Sequence, residues 1–115
     1  WSQYKGIHSP FNQPFVLEIR FDDPSYIKTV KSNFYKDLNA AIAWPSQIQY
    51  EYFVRSGSND EIFTYTTIQY NYPSGQESSY FSTVELSSPV MADGIRITVT
   101  PNGEWTFIDD IWIES

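Results

Sequence analysis

The residues of this chain best suited to chemistry are flat rings and hydrogen-bonding side chains, not nucleophiles. Trp105 follows Gly103 and Glu104 between a turn and a closing strand, where an indole can sit at a loop tip as a ligand platform. The same residue can equally be a core tryptophan, since large aromatics are highly buried on average. The chain has no Cys, no Gly-x-Ser-x-Gly elbow, a single histidine (His8) and no metal-ligand cluster. An independent enzyme is therefore poorly supported. Asp109 and Asp110 are neighbours in a strand-like run, and regular alternation sends neighbours to opposite faces, so they do not form an acid/base pair by themselves.

Aromatics make up 18% of the residues, too many for the interior of so small a domain. Tyr and Trp pair an apolar face with a polar tip, which suits half-wet surfaces and binding sites. The 115 residues support one domain and one core. The absence of Cys excludes a disulfide framework and a thiolate metal site. A formal net charge of -7 argues against nucleic acid and against anionic membrane surfaces. It fits neutral partners, or simply solubility. No apolar run reaches the length of a transmembrane helix, and no signal-like segment opens the chain. The abrupt start at Trp1 reads as a mature or excised module.

The elements that must position these residues are strands. Trp1 to Pro14 reads as a long loop rich in Gly, Ser, Pro and Asn. Phe15, Leu17, Ile19 and Phe21 alternate with Val16, Glu18 and Arg20, a strand with one apolar face. Asp22-Asp23-Pro24-Ser25 reads as a turn. Tyr26 to Phe34 reads as a second strand, with Ile27, Val30 and Phe34 inward and a slip in the alternation that suggests a bulge. Tyr35 to Pro45 reads as a loop, its apolar stretch too short and too poorly capped for a helix. Gln47 to Arg55 is a strand, Ser56 to Asp60 a hairpin-type turn, and Ile62 to Tyr70 a β-branched, aromatic strand. Tyr72 to Gln76 is loop. Tyr80 to Leu86 is a strand ended by Ser87-Ser88-Pro89. Ile95, Ile97 and Val99 form the next, Pro101-Asn102-Gly103 turns the chain, and Ile111 and Ile113 alternate with Asp110, Trp112 and Glu114 in the last. About seven strands separated by turn signals predict an all-β antiparallel β-sandwich in one domain, residues 1–115.

Five segments carry a family resemblance. They are F-V-L-E-I-R-F-D from Phe15 with Y-I-K-T-V from Tyr26; N-F-Y-K-D from Asn33 with I-A-W-P from Ile42; Ile48 to Ser56 with the turn to Ile62; A-D-G-I-R-I from Ala92; and G-E-W-T-F-I-D-D-I-W-I from Gly103. In this order they resemble the discoidin domains, or coagulation factor five/eight type C domains, and most of all the family 32-like carbohydrate-binding modules of that fold. The departures are Gly57-Ser58-Asn59-Asp60 in place of the usual Asp-Gly, Asp93 in place of the usual Arg, and no counterpart of the family's first strand ahead of Trp1.

The resemblance implies a discoidin-like jelly roll in which three loops meet at one end. From the opening segment it implies Trp1 and His8 as ligand-binding residues. From the middle loop it implies Tyr35, Lys36, Asn39 and Trp44, and from the third loop Trp105. A pyranose offers C–H groups to an aromatic ring and hydroxyls to planar donors and acceptors. For His8 the plain alternative is an incidental surface residue, and for Trp44 packing against the sheet. The resemblance also implies a structural Ca²⁺ held through Asp110, against the plainer reading of a strand-end charge. Its function would be to bind a glycan or polysaccharide, without membrane insertion, as a secreted or cell-surface module tethered to a catalytic domain such as a glycoside hydrolase. The other class of function is an adhesion or protein-interaction domain of the same fold, its exposed aromatics serving as hot spots.

Overall fold

The computed structural model of the chain describes residues 5–8, 13–35, 45–56, 59–67, 79–103 and 105–115. They form β1 (Lys5–His8), β2 (Phe15–Tyr35), β3 (Gln47–Ser56), β4 (Asn59–Thr67), β5 (Ser79–Thr100) and β6 (Trp105–Glu114). Among the described residues there is no helix. The strands lie in one sheet, ordered β1-β6-β2-β5-β3-β4, and every pairing is antiparallel.

Two long strands give this sheet two halves. In one half, Phe15 to Arg20 of β2 pair with Gly94 to Val99 of β5, which pair in turn with β3, and β3 with β4. In the other, Thr29 to Tyr35 of β2 lie between Ser79 to Glu85 of β5 and Phe107 to Glu114 of β6. The halves face each other across a common core. The Tyr50 hydroxyl, on β3 of the first half, hydrogen-bonds Ser32 Oγ at 3.2 Å and Ser82 Oγ at 2.9 Å, both in the second. Phe34, Ile48, Ile97, Val99 and Ile108 are fully buried around that contact. The fold is all-β and sandwich-like: a sheet bent over until its apolar face meets itself.

The bend falls where the sequence carries turn residues, but the chain does not reverse there. Between the pairs Arg20–Gly94 and Ser25–Ala92, residues 21–24 of β2 stand opposite Asp93 alone. Between Ile27–Val90 and Thr29–Glu85, residues 86–89 of β5 stand opposite Lys28 alone. Pro24 and Pro89 sit in these excursions, where no ladder N–H is needed. The expected turns Asp22–Ser25 and Ser87–Pro89 are thus breaks within single strands of 21 and 22 residues. Four expected strands become two. Conversely, the opening segment expected as loop contains β1, which pairs with β6 from Lys5–Ile108 to His8–Trp105. The expected hairpin of β3 and β4 is present and tight, closing at the pair Ser56–Asn59.

A bulge in β6 reconciles two patterns in the closing strand. Asn33 pairs with Asp109 and Ser32 with Ile111, so Asp110 is an extra residue on the β6 side. Before it, Thr106 and Ile108 are fully buried. After it, Ile111 and Ile113 pack on the core and Trp112 faces out, 51% exposed. One inserted residue exchanges inward for outward parity.

Candidate functional site

The candidate site is a convergence of chain segments at one end of the folded sheet. β1 ends at His8, whose register partner is Trp105, the first residue of β6. β2 ends at Tyr35, whose partner is Phe107, and Phe107 also pairs with Gly6. The middle segment that leaves Tyr35 returns at Ser46, whose backbone N–H donates to the Thr100 carbonyl at 2.8 Å and whose hydroxyl donates to the same oxygen at 3.2 Å. Thr100 is the last residue of β5, directly before the Pro101–Gly103 turn that leads to Trp105. The flanks of the opening segment, the middle segment and the β5–β6 turn therefore lie side by side.

Of the residues expected to bind ligand, His8 and Trp105 are brought together as cross-strand partners, and Tyr35 stands two register rows away. These are placements of backbone. Tyr35 belongs to β2 and not to the loop in which it was expected. Trp1, Lys36, Asn39 and Trp44 lie outside the described residues.

Asp110, the expected Ca²⁺ ligand, is the bulge residue of β6. The alternation argument that separates Asp109 from Asp110 loses its premise there, since a bulge interrupts alternation. Ca²⁺ takes roughly 6–8 oxygen ligands. Among the described residues no three carboxylate or imidazole groups gather to supply them.

Two polar contacts on the outer surface serve the fold. On the first half, Arg96 donates to the Glu18 carboxylate at 2.9 Å and Arg20 Nε to its other oxygen at 3.3 Å. The Arg96 hydrogen bond holds the Glu18 carboxyl below its ordinary range; partial burial opposes this, and the charges of Arg20 and Arg96 reinforce it. The Asp93 carboxylate accepts the Arg55 backbone N–H at 2.7 Å, beyond the last β3–β5 pair, Phe53–Gly94. Asp93 thus finishes a strand end.

A hollow of about 290 Å³, its open mouth included, lies between the halves and is lined by Ile27, Val30, Tyr50, Tyr52, Val84 and Ile95 among others. None of the expected ligand-binding residues lines it. Of its two tyrosine hydroxyls, that of Tyr50 is engaged with Ser32 and Ser82. That volume takes in open solvent and its lining is mostly apolar, so it reads as a gap in packing.

Three exposed aromatics among the described residues, Tyr26, Phe63 and Trp112, were not singled out from the sequence as site residues. Trp112 occupies an outward position in an alternating strand, where a polar residue is the norm. That period-2 position was the available signal. A scan of the chain against protein-family models found no match, and neither did a search among curated proteins.

Proposed function

We propose that the chain is a non-catalytic carbohydrate-binding module that holds a parent glycosidase or cell-surface protein against glycans. The observation that carries this reading is the convergence of three segments around the His8–Trp105 pair. Those segments hold the tryptophans Trp1, Trp44 and Trp105 and the hydrogen-bonding side chains of His8, Tyr35, Lys36 and Asn39. Rings beside amide, imidazole and ammonium groups are what a neutral sugar requires. A net charge of -7 disfavours nucleic acid and anionic membranes and leaves neutral glycans open. Tethering would raise the effective concentration of the parent at its polymer. Such a role belongs outside the cell or on its surface.

The test is a glycan array followed by tryptophan fluorescence titration. Trp105→Ala and Trp44→Ala should each abolish binding to the glycan identified, with the far-UV circular dichroism spectrum unchanged. Two variants that bind like the parent would end this reading. A structural Ca²⁺ at Asp110 belongs to the same proposal. A chelator should then lower the melting temperature, and Asp110→Asn should be insensitive to it; a melting temperature unmoved by chelator removes the metal.

An adhesion or protein-interaction role is the second reading. Tyr26 and Met91 favour it: they pair across the bend of β2 and β5 and are 58% and 44% exposed. Trp105→Ala would then leave function intact, and loss of a protein partner would follow Tyr26→Ala.

A further inference from the structure

The first half of the sheet ends in a long strand with an open side. β4 pairs with β3 through nine consecutive residues, from Ile48–Thr67 to Ser56–Asn59, without a shift in register. It stands last in the sheet, and among the described residues no strand pairs with its other side. Glu61, Ile62, Phe63 and Thr64 are all exposed. Neighbours in a strand point to opposite faces, so both faces are open at this edge.

The ladder shows which backbone groups the open side presents. The Arg55 N–H points to the β5 side of β3, where the Asp93 carboxylate accepts it at 2.7 Å. Backbone direction alternates along an antiparallel strand, so Phe53 and Glu51 also serve β5, while Val54, Tyr52 and Tyr50 serve β4. Their β4 partners Glu61, Phe63 and Tyr65 bond inward to β3. Asp60, Ile62, Thr64 and Thr66 therefore direct N–H and C=O away from it.

Edge strands are ordinarily guarded by lysine, proline, a bulge or short length. The opposite edge strand, β1, has four residues and includes a lysine. β4 has nine residues, no Lys, Arg, Pro or Gly, and no bulge. What this edge fits is a second copy of itself. A two-fold axis at Phe63, the middle residue, would pair all nine positions antiparallel. Phe63 would face Phe63, Ile62 would face Thr64, Glu61 would face Tyr65 and Asp60 would face Thr66 of the second copy. Outward-bonding residues then meet outward-bonding residues, and the new ladder closes. Each carboxylate meets an uncharged residue, whereas a parallel pairing in register would set Asp60 and Glu61 against their own copies. Two chains that each carry a net charge of -7 need a contact of the first kind.

We infer that β4 is a dimerisation edge, at which two copies of this chain join their sheets by antiparallel β4–β4 pairing about Phe63. It holds whatever ligand the module takes.

Sedimentation equilibrium over a range of concentrations tests it. The parent should pass from monomer to dimer as concentration rises. Thr64→Pro removes an N–H that bonds only across the new interface, twice by symmetry, and an edge strand tolerates proline at such a position. Its dimer should be about tenfold weaker or more, with the melting temperature of the dilute protein little changed. Thr64→Ala, which keeps the N–H, should dimerise like the parent. Phe63→Lys sets two ammonium groups face to face at the axis and should stay monomeric; it carries the test if the proline variant does not fold. Hydrogen exchange adds a second readout. The Ile62 and Thr64 amides should be protected only where the parent is dimeric, and those of Phe63 and Tyr65 at every concentration. A parent that is monomeric throughout, or a dimer that Thr64→Pro and Phe63→Lys leave intact, overturns the inference. So does protection of Ile62 and Thr64 in the dilute monomer, which would assign the edge to another segment of the same chain.

Discussion

Phe53 shows how a single residue position can be dictated by its neighbour. Its strand mates Ile48 and Tyr50 point into the core, so parity puts Phe53 on the outer face of β3, yet it is fully buried. The reason is Gly94, its β5 partner. A Cβ on Gly94 would run into the Phe53 ring and the Ile19 carbonyl oxygen. The ring lies across bare backbone, and the Arg20 guanidinium covers it 5.2 Å from the centroid. Gly94→Ala should therefore cost about 1–3 kcal/mol, as overpacking does, and lower the urea midpoint. An unchanged midpoint would mean that the ring can slide aside. Glu18, on the same face, gives a prediction in pH. Its folded pKa is depressed, so its stabilisation is complete above the unfolded pKa and fades as pH falls through the folded value. The parent should be slightly more stable than Glu18→Gln at neutral pH, and the two should converge in acid. A gap that stays constant with pH would contradict the role of the Arg96 hydrogen bond.

Among elements, β6 depends most on a count of residues. Asp110 is surplus to the pairing with β2, and it lets Ile108 and Ile111 both meet the core. Deleting Asp110 would make the pairing with β2 regular and leave Ile111 opposite Ser32, so Ile111 and Ile113 would still face the core and Trp112 would still face out. The deletion should therefore still melt cooperatively, as should Asp110→Ala, whereas deleting Trp112, which moves Ile113 to an outward place and Glu114 to an inward one, should lower the melting temperature. An Asp110 deletion that abolishes cooperative melting would show that the bend at the bulge, and not parity alone, is required. Alternation was legible in Phe15–Phe21, Gln47–Arg55 and Ile95–Val99 because each run has one buried face. Pro24 and Pro89 marked breaks correctly, but a proline says only that a ladder N–H is missing, not that the chain reverses. β1 was illegible for a different reason. Lys5-Gly6-Ile7-His8 is too short to show a period, and its partner lies at the far end of the chain. For the same reason the pairing of His8 with Trp105 could not be read from spacing: only the sheet brings them together.

At the scale of the whole molecule, the two halves are not separable units. β2 and β5 run through both, and each pairs in one half with elements absent from the other. Tyr50 then ties the first half to Ser32 and Ser82 of the second, and replacing either serine by a larger apolar residue would force the halves apart. No half can lose its strands without stripping the other of its centre. Unfolding should therefore be a single transition. Trp105 and Trp112 belong to the second half, and the Tyr52–Phe63 stack, with centroids 5.6 Å apart, to the first. Urea titrations followed by tryptophan fluorescence and by far-UV circular dichroism should give one midpoint. Hydrogen exchange should find backbone amides of β3 and β6 opening at a common free energy in their most protected positions. Should β3 and β4 exchange at a distinctly lower free energy than the β2–β6 pairing, the folded-over sheet would be two loosely joined halves.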